Sequence, residues 1–184
     1  MSDATPDPIP PPGAEPEELE EIREGLEDRR YQAAAYFRQA YAQQMKGDLA
    51  GAERYYRKSI ELCPTAEAYT FLGWTYSFMG RLTDAIALCK QAIATDPDFG
   101  NPYNDIGAYL IELGHYEDAV PYLKQALQAS RYDAPHYPHF NLGRALEAIG
   151  DWKAALREYR AALELHPDYK LAYQHMVKLQ ARLN

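Results

Sequence analysis

The sequence predicts an all-α solenoid of stacked antiparallel helix pairs, and three observations predict it. Small and large residues recur at a spacing of about 34 residues, the period at which one helix-turn-helix unit covers the apolar face of the next. Each of four copies turns at a glycine, Gly47, Gly80, Gly114 or Gly150, a residue that enters positive φ without a Cβ penalty and so ends a first helix. Five residues past each turn stands an alanine, Ala52, Ala85, Ala119 or Ala155, and in copies two to four the first helix carries Gly73, Gly107 or Gly143. Two antiparallel helices approach closely only where such small residues meet.

The elements follow in order. Residues 1–16, rich in Pro, Asp and Ala, offer almost nothing to bury and are expected to stay disordered. Over 17–32, Leu19, Ile22 and Leu26 recur at helical spacing among Glu and Arg, which predicts an acidic amphipathic helix despite Gly25. The copies then span 33–65, 66–99, 100–133 and 136–169, with Ala134 and Pro135 inserted before the fourth. Second helices carry a core residue at Tyr56, Cys89, Leu123 or Tyr159 and a small one three residues on, at Ser59, Ala92, Ala126 or Ala162. Leu49, Leu82, Tyr116 and Trp152, two residues after the turn glycines, are expected to pack over the hairpins. Pro64, Pro97 and Pro167 close three copies, and Pro102 and Pro138 stand near helix starts, where a missing N–H costs nothing. Residues 170–184 read as one more first helix, a cap, with Leu171, Ala172, Met176 and Leu179 apolar. Two copies depart from the pattern. Gln39 and Gln43 stand where copy two has Leu72 and Tyr76, so the first helix of copy one is phased differently or meets the N-terminal helix. Copy three ends at Arg131 instead of proline, and the longer SRYDAPHYPH connection is expected to tilt the fourth unit.

Composition narrows the function. The net charge is -8. Residues 1–30 hold ten acids and three arginines, whereas 31–184 hold seventeen acids and sixteen Lys or Arg, so the acidity belongs to the N-terminal segment. With no basic stripe to neutralise phosphates, nucleic acid is not an expected partner. The sequence shows no signal-peptide pattern and no run of eighteen apolar residues, so we expect a cytoplasmic protein without membrane insertion. Cys63 and Cys89 lack metal or redox spacing and read as packing residues. No phosphate loop or nucleophile-base pair is visible; His136 and His139 flank a Tyr-Pro pair with no Cys and no acidic cluster around it, and the acids beside His115 suit a helix start. We expect no catalysis, no cofactor and no metal.

The L-G, Y, A and P residues at these offsets resemble the tetratricopeptide repeat family over residues 33–169. The resemblance implies a right-handed superhelix that binds partner segments along a concave face lined by first helices. It assigns to that face Arg38 and Tyr41 in copy one; Thr70, Phe71, Trp74 and Phe78 in copy two; Asn101, Asn104, Asp105 and Ile111 in copy three; and Tyr137, Phe140, Asn141 and Arg144 in copy four. Phe71, Trp74 and Phe78 form one stripe of large aromatics, which a partner, the N-terminal helix or a neighbouring copy covers. Trp74 and Phe78 suit an apolar anchor, and Asn101, Asn104 and Asn141 suit the backbone of an extended peptide. Arg38 and Arg144 suit acids, either a partner's or Asp105 and Glu147. The cationic clamp with which family members hold heat-shock carboxylates is absent, since its positions carry Phe37 and Tyr41, Phe71, and Asn101 and Asp105 over copies one to three, or Thr70 and Trp74, Asp105, and Tyr137 and Asn141 over copies two to four, and neither set is cationic. The implied function is a scaffold or adaptor that takes an extended or helical segment of another protein. An export or assembly chaperone of the type III secretion kind and a self-associating structural protein are the alternatives.

Overall fold

The computed structural model describes residues 16–183, with side chains from Glu20 onward. The tail expected over 1–16 lies outside the described residues, except that Pro16 opens the first helix. Nine helices follow among the described residues: α1 (Pro16–Met45), α2 (Leu49–Leu62), α3 (Ala66–Phe78), α4 (Leu82–Thr95), α5 (Asn101–Glu112), α6 (Tyr116–Gln128), α7 (His136–Ile149), α8 (Trp152–Leu165) and α9 (Lys170–Leu183). They pair as hairpins α1/α2, α3/α4, α5/α6 and α7/α8, and each hairpin packs on the next.

The four turn glycines all have positive φ, from 73° at Gly80 to 96° at Gly150. Close approach is equally specific: a Cβ at Gly107 would stand 2.5 Å from the Leu123 side chain, and one at Gly143 would stand 2.5 Å from the Tyr159 ring. Ala52, Ala85, Ala119 and Ala155 are fully buried, as are Tyr56, Cys89, Leu123 and Tyr159 four residues further on. Burying a side chain such as Leu72 or Ile106 contributes about 2–3 kcal/mol, so each unit draws its stability from its neighbour rather than from helix propensity.

The acidic segment and the first helix of copy one form a single 30-residue helix with no break at residue 33. Copy one nevertheless keeps the phase of the others. Ala40, aligned with Gly73, is fully buried, while Gln39, aligned with Leu72, is exposed on a face that no other described helix covers. A polar residue fits there, although the same position is apolar in later copies. Trp152, expected over the last hairpin, is 45% exposed. The longer connection before α7 is stitched back to the loop between α4 and α5: Gly100 N donates to Arg131 O, and Arg131 N donates to Asp98 O. The Arg131 guanidinium pairs with Asp96 and with Glu67.

Consecutive odd-numbered helices from α1 to α7 touch one another, whereas no comparable contact joins the even-numbered ones among the described residues. In a curved stack the touching layer is the inner one. The groove is therefore lined by α1, α3, α5 and α7.

Candidate functional site

The groove has an aromatic half and a polar half. In the aromatic half, Phe71 on α3 meets Phe37 and Tyr41 of α1 edge-on, with ring centroids 5.2 and 5.8 Å apart, and lies 6.2 Å from Tyr56 of α2. The series continues along α3, with 5.7 Å from Phe71 to Trp74 and 5.2 Å from Trp74 to Phe78. The rings become more exposed along this path: Phe71 and Trp74 are half-buried, and Phe78 is 56% exposed. Phe37 and Tyr41 of the neighbouring copy one thus cover Phe71, while Phe78 is left open. Tyr41 and Met45 on α1 are also exposed, at 43% and 51%. Where α1 meets the C-terminal end of α2 and the start of α3 is a pocket of about 520 Å³ lined by Ala34, Phe37, Arg38, Cys63, Thr65 and Glu67. Cys63, read from sequence as packing, is half-buried on its wall. Only its place at the end of a second helix, beside Pro64, could have signalled this.

In the polar half, side chains bond one another in a line. Arg144 Nη1 donates to Asn141 Oδ1 at 3.2 Å, Asn141 Nδ2 donates to Asn104 Oδ1 at 3.0 Å, and Asn104 Nδ2 donates to Asp105 Oδ1 at 3.4 Å. Asn141 is buried, so its amide braces α7 against α5 and does not face a ligand. Arg144 also lies 5.8 Å above the Phe140 ring and does not pair with Glu147, which accepts from Tyr159 Oη at 2.7 Å and lies near His175 and Arg182. Thr70, Ile111 and Phe140, placed in the groove by repeat position, are buried. Asn101 is half-buried at the start of α5, Arg38 is exposed, and Tyr137 is 45% exposed against His136 and Tyr169.

Asp105 has an unusual setting. Burial beside Cys89, Tyr109 and Tyr132 raises its carboxyl to about 7, with only the Asn104 hydrogen bond acting in the opposite direction. The same burial pushes up the Cys89 thiol and the Tyr109 and Tyr132 phenols. Three histidines pack structurally: His139 Nδ1 lies 2.7 Å from Glu158, and His136 stacks on His166, with burial and then the His166 ring lowering the His136 pKa. Among the described residues no group of three or more His, Cys, Asp or Glu is placed to hold a metal ion. No described helix is long and apolar enough to cross a membrane.

Family models described as tetratricopeptide repeat match residues 33–66, 66–99 and 98–168. The chain belongs to the tetratricopeptide repeat family. Mouse DnaJ homolog subfamily C member 7 is 27% identical over 150 residues, covering 79% of this chain and 29% of that protein. The chain spans less than a third of the curated relatives it matches. Among solved tetratricopeptide structures, pilF of Pseudomonas aeruginosa superposes with a TM-score of 0.79 at 22% identity, covering 84% of this chain and 70% of that one. YrrB, titled a TPR protein with an unusual peptide-binding site, superposes with a TM-score of 0.66 at 23% identity, covering 87% and 82%. At these identities the likeness is one of fold. Membership of the family points to protein-protein interaction as the activity.

Proposed function

We propose that the chain is a non-enzymatic scaffold or adaptor module whose concave groove takes an extended or helical segment of a partner protein, anchored at Trp74 and Phe78. The observation that carries this reading is the aromatic path from the buried Tyr56 to the exposed Phe78, flanked by exposed Tyr41 and Met45. Its inner end is held rigid by the core, and its outer end leaves apolar rings in water, the arrangement of a preformed anchor site. The pocket beside Phe37 offers room for a second apolar side chain. A single such segment typically binds at around micromolar affinity, about 8 kcal/mol.

The test is selection of peptides from a randomised 12-residue display library by wild type and by the Trp74→Ala/Phe78→Ala variant. We expect wild type to enrich peptides that the variant binds at least tenfold more weakly, while its helical CD signal stays at the wild-type level. Full retention of binding, or collapse of the fold, would show that these rings are packing residues and would overturn the reading.

A further inference from the structure

We propose that the groove floor around Asp105 on α5 is a subsite for a lysine or arginine side chain of the bound segment, with Asp105 as its counter-ion. The proposal rests on the peptide-groove reading above and adds to it the chemistry of one partner residue.

Asp105 stands at the repeat position held by Phe71 in copy two and Asn141 in copy four. Each of those has partners that suit it: Phe71 packs against four rings, and Asn141 bonds both Asn104 and Arg144. Asp105 does not. Its one hydrogen bond is the long 3.4 Å contact from Asn104, and among the described residues no Lys, Arg or His forms an ion pair with it. The nearer cations are engaged elsewhere, Arg144 by Asn141 and Phe140 and Arg131 by Glu67 and Asp96. A half-buried carboxylate with one weak donor is costly unless a charged donor meets it.

A second group in the same place is also under-bonded. The Tyr109 hydroxyl, on a side chain that is 6% exposed, makes no hydrogen bond of normal geometry; Asp105, Cys89, Ser77 and the exposed Glu112 interact with it electrostatically, and the Ser77 hydroxyl is given to Trp74 O. An ammonium or guanidinium brings several donors and a positive charge, which suits a site made of a carboxylate with a phenol oxygen behind it. A carboxylate ligand would be repelled. Beside Asp105, copy two carries the small Cys89 at the second-helix position that is Tyr56, Leu123 or Tyr159 in the other copies.

The experiment uses the same randomised 12-residue library at pH 8, where Asp105 is ionised, with the full chain as wild type, as Asp105→Asn and as Trp74→Ala/Phe78→Ala. The wild-type pool is expected to be enriched about fivefold or more in Lys or Arg at a fixed distance from an apolar residue. The Asp105→Asn pool should keep the apolar preference and lose the basic one, and a synthetic peptide from the wild-type pool should bind Asp105→Asn at least tenfold more weakly. Peptides that need Trp74 and Phe78 but show no basic preference, or the same preference with Asp105→Asn, overturn the subsite and leave the groove intact. If no peptide depends on Trp74 and Phe78, the groove reading fails and takes the subsite with it. Asparagine relieves the buried charge without changing side-chain shape, so Asp105→Asn is expected to fold, and its melting curve checks that.

Discussion

At the scale of single residues, glycine has two separate tasks, and substitution separates them. Gly150 has open space around its missing Cβ but a φ of 96°, so Gly150→Ala should lose about 1–2 kcal/mol from backbone strain alone, and Gly150→Asn less. Gly143 is the reverse. Its backbone is helical, but an alanine Cβ would stand 2.5 Å from the ring of Tyr159, which is buried and bonded to Glu147. Overpacking there should outweigh the gain in helix propensity and leave Gly143→Ala about 1–2 kcal/mol less stable in urea unfolding. Stability at or above wild type would mean that Tyr159 can move aside freely. Both kinds of glycine were legible in the sequence, because each constrains the backbone and so recurs at a fixed spacing. The buried bond from Tyr56 Oη to Gln44 Oε1, 2.9 Å, was not: its counterpart in copy four joins Tyr159 Oη to Glu147 Oε2, but copies two and three carry Cys89 and Leu123 in place of the tyrosine, so no repeat-wide spacing announces it. Gln44 Nε2 is already unpartnered, so Tyr56→Phe strands the rest of the amide and should cost about 1–3 kcal/mol.

At the scale of elements, the residue after each turn glycine decides how the second helix begins. Asp48 and Asp151 cap α2 and α8, accepting from Gly51 N at 2.9 Å and Ala154 N at 3.1 Å. Arg81 and His115 occupy the same place before α4 and α6 and make no cap bond, although the backbone at His115 (φ -89°, ψ 64°) nearly matches that at Asp151 (φ -81°, ψ 67°). Asp151→Ala should therefore cost about 1 kcal/mol, and His115→Asn should gain roughly 0.5–1 kcal/mol, both read from the shift in urea midpoint. If His115→Asn gives no gain, the matched dihedrals are not sufficient for the cap. The succession of helices was readable because the repeat supplies four independent views of one pattern. The start of α1 was not. The change from acidic to mixed composition near residue 32 suggests two elements, but neither Gly25 nor any residue up to Met45 ends a helix in this context, and charge alone does not break one.

At the scale of the whole molecule, the sequence located the groove more reliably than it sorted the residues within it. Repeat position says which way a helix points, but adjoining helices decide what stays open: Asn141 faces the groove by position and is closed off by Asn104 and Arg144. Asp105 shows the same limit, since its setting comes from Cys89 on α4, Tyr109 on α5 and Tyr132 in the connection between α6 and α7. That setting has a consequence for the stability of the entire stack. The fold disfavours ionised Asp105, so between its ordinary value of 3.8 and about 7 the native state holds a proton that the unfolded chain releases. The stability this residue permits is full at acidic pH, falls as pH rises through that window, and levels off above it. Other groups titrate over the same range, so the informative quantity is the difference between Asp105→Asn and wild type. Cys89, Tyr109 and Tyr132 are pushed up by burial and stay neutral throughout, and Glu112 is common to both proteins. The melting temperature of Asp105→Asn minus that of wild type should be near zero at pH 4 and rise to roughly 5 °C at pH 8, for a difference on the order of 2 kcal/mol. A difference that does not change with pH would mean that solvent reaches the carboxylate, and a difference that falls as pH rises would mean that a cation of this chain pairs with it.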